Sequence, residues 1–133
     1  MAPHSLFRRL APVAALVVLA ACGSDGPEVD LSDAGQRGFE IFRSNGCAAC
    51  HGSNGEGGVG PTFVGLFGSE RELEDTTETV TADRDYLARA ISDPQADKVA
   101  GFRILMPTNN LSETEIESVI DYITELADVA EDS

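Results

Sequence analysis

The sequence predicts an all-α domain of about three to five helices, and three observations carry that reading. Ile116, Val119, Ile120, Ile123 and Leu126 recur at three-and-four spacing, the period of a helix that buries one face. Glycine and proline punctuate the middle of the chain, where the one extended stretch, Glu70 to Val80, is polar and at best strand-like. A short pattern, Cys47-Ala48-Ala49-Cys50-His51, follows directly on Asn45-Gly46, a pair that ends helices.

Residues 1–21 stand apart from that domain. Arg8 and Arg9 form a basic n-region, and Leu10 to Ala20 is an apolar run too short to span a bilayer as a helix. It ends Leu19-Ala20-Ala21-Cys22, which resembles the lipobox of bacterial lipoprotein signal peptides. That resemblance implies removal of residues 1–21 and lipidation of Cys22 as the new N-terminus. An ordinary signal peptide with a stray cysteine is the alternative. Residues 22–32 read as a flexible polar tether, whose Gly23 to Leu31 would reach about 30 Å when extended. The domain proper is 33–128, and 129–133 is an acidic tail.

Within the domain, Asp33 and Gln36 form a capping box that starts the first helix. Gly38 and Phe42 share one face of it, and a glycine there lets a second helix approach closely. Gly52 to Gly60 holds five glycines among nine residues but lacks the Gly-Lys-Ser/Thr ending of a phosphate loop. It reads as a loop passing close to a bound group. Pro61 to Gly68 is a compact apolar turn. Thr81 is expected to cap a helix through Ile91, with Leu87 and Ile91 on one face and Asp93-Pro94 as its end. Ser112 and Glu115 make a second capping box before the last helix. Glu113, Glu117, Asp121 and Glu125 lie outside its apolar stripe.

The Cys47-x-x-Cys50-His51 pattern is the attachment signature of a c-type haem. Two thiols at that spacing can form thioethers to the two vinyl groups of one porphyrin. The histidine that follows is then held under the iron, which it can ligate through a ring nitrogen. A structural zinc site needs four ligands, and outside the motif the chain offers the thiol of Cys22 and the imidazole of His4, both in the targeting segment. A thioredoxin-like dithiol would sit between a strand and a helix, whereas here a helix precedes and a glycine loop follows.

Elimination points to the second axial ligand. Past residue 21 the chain has no histidine but His51, one methionine, Met106, and one lysine, Lys98. Met106 precedes Pro107, which stiffens the chain beside a ligating sulfur. A methionine in an apolar run is most often core, but a soft thioether suits haem iron. His51 and Met106 together would fill all six positions, favouring electron transfer over oxygen or peroxide chemistry.

These residues resemble the class I cytochrome c family across 33–128. Gly38-x-x-x-Phe42, the Cys47-to-His51 motif, Gly60-Pro61, Met106-Pro107 and Tyr122 follow that family's order. The resemblance implies a class I cytochrome c fold around one covalent haem c with its iron, and a helix crossing built on Gly38, Phe42 and Tyr122. It also implies that the Pro61 carbonyl accepts a hydrogen bond from His51. Gly60 to Gly68, Thr81-Ala82-Asp83 and Gly101-Phe102 look especially like the cytochrome c domain fused to subunit II of some haem–copper oxidases. The membrane hairpin and copper domain of that subunit have no counterpart in this chain.

Seven of the nine basic residues and all 23 acidic ones lie after residue 21, so removal of the leader would take the net charge from −14 to −16. Nucleic-acid binding is excluded, since phosphate neutralisation needs clustered Lys and Arg. The acidity fits either a basic partner surface or solubility in a saline habitat. The function expected is that of an exported bacterial one-electron carrier, lipid-anchored to a membrane on the periplasmic or outer side. It would be monomeric, use no small-molecule substrate, and work between a quinol-oxidising complex or dehydrogenase and a terminal oxidase. A fixed haem-bearing subunit of a membrane oxidase or dehydrogenase complex is the alternative.

Overall fold

Two helices at opposite ends of the domain cross, and the crossing organises everything else. In the computed structural model, which describes residues 29–74, 76–127 and 129, the elements in order are α1 (Asp33–Ser44), α2 (Ala48–His51), β1 (Glu70–Glu72), β2 (Thr79–Thr81), α3 (Arg84–Ser92) and α4 (Glu113–Ala127). The all-α expectation holds, with a small two-stranded hairpin added. The leader 1–21, Cys22, the tether as far as residue 28 and residues 130–133 of the tail lie outside the described residues. No helix among the described residues is long and apolar enough to cross a membrane.

Gly38 is the contact point of α1 on α4. A Cβ there would overlap the Ser118 carbonyl oxygen and lie 2.8 Å from Tyr122 Cβ, so the bare glycine lets the two backbones meet. Phe42, one turn on, is fully buried. Its ring lies 5.6 Å from that of Tyr122 and 5.4 Å from that of Phe63, separations at which aromatic pairs add to plain burial. The expected stripe on α4 is buried in full, and Tyr122 joins it. Complete burial of such side chains is worth about 1.5–3 kcal/mol each, which makes this crossing the main apolar core.

Two local expectations are corrected. The cap of α1 is Ser32, not Asp33: the Ser32 side chain accepts from Gly35 N, and Asp33 is the first helical residue. The cap of α3 is Asp83, whose Oδ1 accepts from Tyr86 N at 2.8 Å. Thr81 belongs instead to β2, opposite Glu70, with its hydroxyl on Glu70 Oε1 at 2.8 Å. Serine, threonine and aspartate are all good caps, and the choice among neighbours falls to tertiary contacts. Glu125 lies outside the apolar stripe, as expected, and is also tied down. It is half-buried, packs against Gly35, and accepts from Ser32 N at 2.9 Å and Ser32 Oγ at 2.5 Å, which ties the start of α1 to the end of α4.

The other expectations hold. The box at Ser112 forms, with Glu115 Oε2 accepting from Ser112 N at 2.8 Å and from its hydroxyl at 2.7 Å. These bonds lower the Glu115 pKa, the backbone bond from Ser112 most. Leu87 and Ile91 are buried, and α3 ends at Asp93. Arg84 reaches from α3 to Glu117 and Asp121 on α4.

Candidate functional site

The pentapeptide folds as the sequence chemistry requires. Cys47 caps the single turn α2, with its carbonyl accepting from Cys50 N at 3.1 Å and His51 N at 3.0 Å. Helical spacing sets the two thiols a turn apart with the imidazole next to the second. Neither cysteine is in a disulfide, and both are half-buried. Burial, its largest cause, raises the Cys47 pKa.

His51 is held from two sides. Its Nδ1 lies 2.8 Å from the Pro61 carbonyl oxygen. A carbonyl can only accept, so Nδ1 donates and the lone pair of the neutral ring sits on Nε2. Its ring packs 4.6 Å from that of Phe63. Burial lowers the His51 pKa against the opposing pull of the Pro61 bond, so the ring is neutral at neutral pH and able to ligate a metal. The bond to a carbonyl also orients the ring and strengthens it as a ligand.

The glycine loop is built against this imidazole. Gly57 N donates to the His51 carbonyl at 2.7 Å, and Gly60 N to that of Cys50 at 2.9 Å. A Cβ on Gly60 would lie 2.9 Å from His51 Cε1. Glu56 folds the loop back on itself, accepting from Asn54 N at 2.7 Å and Ser53 N at 3.1 Å. Such backbone bonds, its own N–H first, lower the Glu56 pKa.

Cys47, Cys50, His51, Pro61 and Met106 all line one cleft. Its apolar walls include Phe42, Leu66, Leu87, Ile91, Val119 and Ile123. Met106 comes from an irregular segment after α3 and is half-buried. Two side chains absent from the sequence reading hold that segment. Gln95 Nε2 donates to the Met106 carbonyl at 2.9 Å, and Asn109 Nδ2 to the Ile91 carbonyl at 2.7 Å. Polar residues in irregular chain leave no periodic trace, so neither could be found without the fold. Among the described residues, no group of three or more His, Cys, Asp or Glu side chains converges as a metal cage.

Such a cleft suits a flat apolar macrocycle that carries iron. Two thiols stand ready for thioethers, an imidazole presents a free lone pair, and a thioether lines the same space. This fold and donor set define an electron-transfer haem protein. The family model described as "Cytochrome c" matches residues 35–127, and the chain belongs to that family. It therefore binds haem c, with iron, covalently at the Cys47-to-His51 motif, and is an electron-transfer protein rather than an enzyme. No curated protein matches the chain significantly.

Proposed function

We propose that this protein is an exported, lipid-anchored monohaem electron carrier of a respiratory chain, with His51 and Met106 as axial ligands. It would take electrons from a quinol-oxidising complex or dehydrogenase and pass them to a terminal oxidase. The observation that carries the reading is that Met106, remote in sequence, lines the same apolar cleft as Cys47, Cys50 and His51. When bound, the haem iron supplies one-electron exchange between its ferric and ferrous states.

The residues of the chain do the rest. Cys47 and Cys50 would hold the porphyrin, and Pro61 keeps His51 Nδ1 protonated so that Nε2 is left for the metal. Met106, held by Gln95 and Asn109 through its segment, would close the second axial position and leave no open site. Val59, Ile104 and Leu105 are large apolar side chains about half exposed, and all three line the cleft. An apolar rim of that kind suits brief contact with a redox partner. The lipid on Cys22 would raise the effective concentration near membrane partners without tight binding.

Met106→Ala tests the axial assignment. The variant is expected to lose the thioether-to-iron absorption at the red edge of the ferric spectrum and to bind carbon monoxide when reduced, which the unmutated protein should not. Persistence of that absorption would remove Met106 from the iron. Stopped-flow mixing with the native terminal oxidase tests the role, and absence of electron transfer at physiological salt would exclude it. Release from membranes without detergent would exclude the anchor.

A further inference from the structure

The residues just before α1 are fastened down. Val29 and Leu31 are partly buried and pack on the core, and Ser32 donates to Glu125 of α4 from its N–H at 2.9 Å and its hydroxyl at 2.5 Å. Residues 29–32 thus form a short strap across the start of α1 and the end of α4. The cleft lies at the other end of this helix pair. From α1 it takes Phe42, in the last turn, and beyond it Asn45, Gly46 and Cys47; from α4 it takes Val119 and Ile123 but neither Glu125 nor Leu126.

Length then decides what can face a bilayer. A lipid on Cys22 leaves seven residues, 22–28, before the strap, and a segment of that length reaches about 24 Å at full extension, whatever its conformation. The twelve residues of α1 put about 18 Å between the strap and the cleft, and a domain of about 100 residues is about 34 Å across. To lay the cleft mouth on the bilayer, the chain would have to pass round the whole domain, which that reach does not allow. With the strap loose, the eleven residues 22–32 would reach about 37 Å, and the mouth could touch lipid.

We propose that the strap holds the cleft mouth away from the membrane, so that electrons enter and leave only through protein surfaces standing clear of the bilayer. The inference rests on the Cys22 anchor of the proposed function. The donor is then the water-exposed domain of a membrane complex, and a hydroquinone dissolved in the lipid does not reduce the iron directly. Val59, Ile104 and Leu105, exposed at the cleft, meet that domain rather than the lipid.

The test uses the lipidated holoprotein on phosphatidylcholine vesicles loaded with a lipophilic hydroquinone, which gives one electron to each of two haems and releases two protons. One variant inserts Gly-Ser-Gly-Ser after Gly23, lengthening the tether and leaving the strap alone. A second, Val29→Ser with Leu31→Ser, loosens the strap at unchanged length. Both are expected to be reduced about tenfold faster than the parent, since a linker that cannot span gives a contact concentration near zero. Reduction by aqueous ascorbate, which needs no contact with lipid, should be the same in all three. A parent reduced as fast as the insertion variant would overturn the proposal, and so would a strap variant as slow as the parent. Should the strap variant fail to fold, exchange of the Ser32 amide in the parent takes its place: protection supports the strap, and free exchange removes it. A parent that leaves the vesicles without detergent removes the anchor itself, which Ser32 protection tells apart from failure of the strap.

Discussion

Replacing Gly38 by alanine puts a methyl group where α1 meets α4. The added Cβ would lie 2.7 Å from the Ser118 carbonyl carbon and 2.8 Å from Tyr122 Cβ, and would overlap the Ser118 oxygen. Two of these atoms are helix backbone, which no rotamer change can move, so the helices must part. Overpacking of this kind costs about 1–3 kcal/mol, and more where backbone is the obstacle. A gap of about 0.5–1 Å would further weaken the contacts of Phe42 with Tyr122 by a quarter to a half of their dispersion energy. Alanine returns about 1 kcal/mol through its better helix propensity. The net expectation is a loss of about 2–3 kcal/mol, or a fall in Tm of about 10–20 °C for a domain of this size. Denaturant unfolding of the holoprotein, followed by far-ultraviolet circular dichroism and haem absorption together, measures it. A variant within about 0.5 kcal/mol of the parent, or more stable, would refute the close crossing.

Three further outcomes follow from the geometry. Glu125→Ala removes the acceptor for both Ser32 N and Ser32 Oγ and should cost about 1–2 kcal/mol, with amide exchange in the first turn of α1 rising most; unchanged exchange there would sink the tie. Asn109→Ala frees the Met106 segment from Ile91 and should let the reduced protein bind carbon monoxide, which the parent does not, while leaving Tm within a few degrees; a variant that still binds none would deny Asn109 a positioning role. Burial first, and the charge of Glu56 second, push the Tyr122 pKa up to about 12. The unfolded chain therefore ionises this phenol near its ordinary value while the native state keeps the proton. Its stabilising contribution should be complete below pH of about 10, decline above it and level off near 12. A denaturation midpoint flat across that window would contradict the burial of Tyr122.

Much of this molecule can be read along the chain because the relevant physics is local. The Cys47-to-His51 spacing identifies its own chemistry, since thioether and imidazole positions depend on one helical turn. The α4 stripe and its Ser112–Glu115 box are likewise encoded in neighbouring residues, and the structure buries that stripe as expected. The misplaced caps show where local information ends. Asp33 and Thr81 have the right side chains, yet Ser32 is selected by Glu125 from the far end of the domain. Thr81 is drawn into a hairpin by Glu70.

By itself, the sequence determined an all-helical haem protein, the attachment residues and, through the scarcity of soft ligands, Met106 as the axial candidate. The tertiary structure alone decided what depends on distant segments meeting. It joined α1 to α4 at a bare glycine, seated Met106 in the cleft of His51 through Gln95 and Asn109, and fastened Ser32 to Glu125. The reason is physical: periodicity records which face of an element is apolar. An anchoring carboxylate or amide acquires its meaning only from the atoms that folding brings beside it.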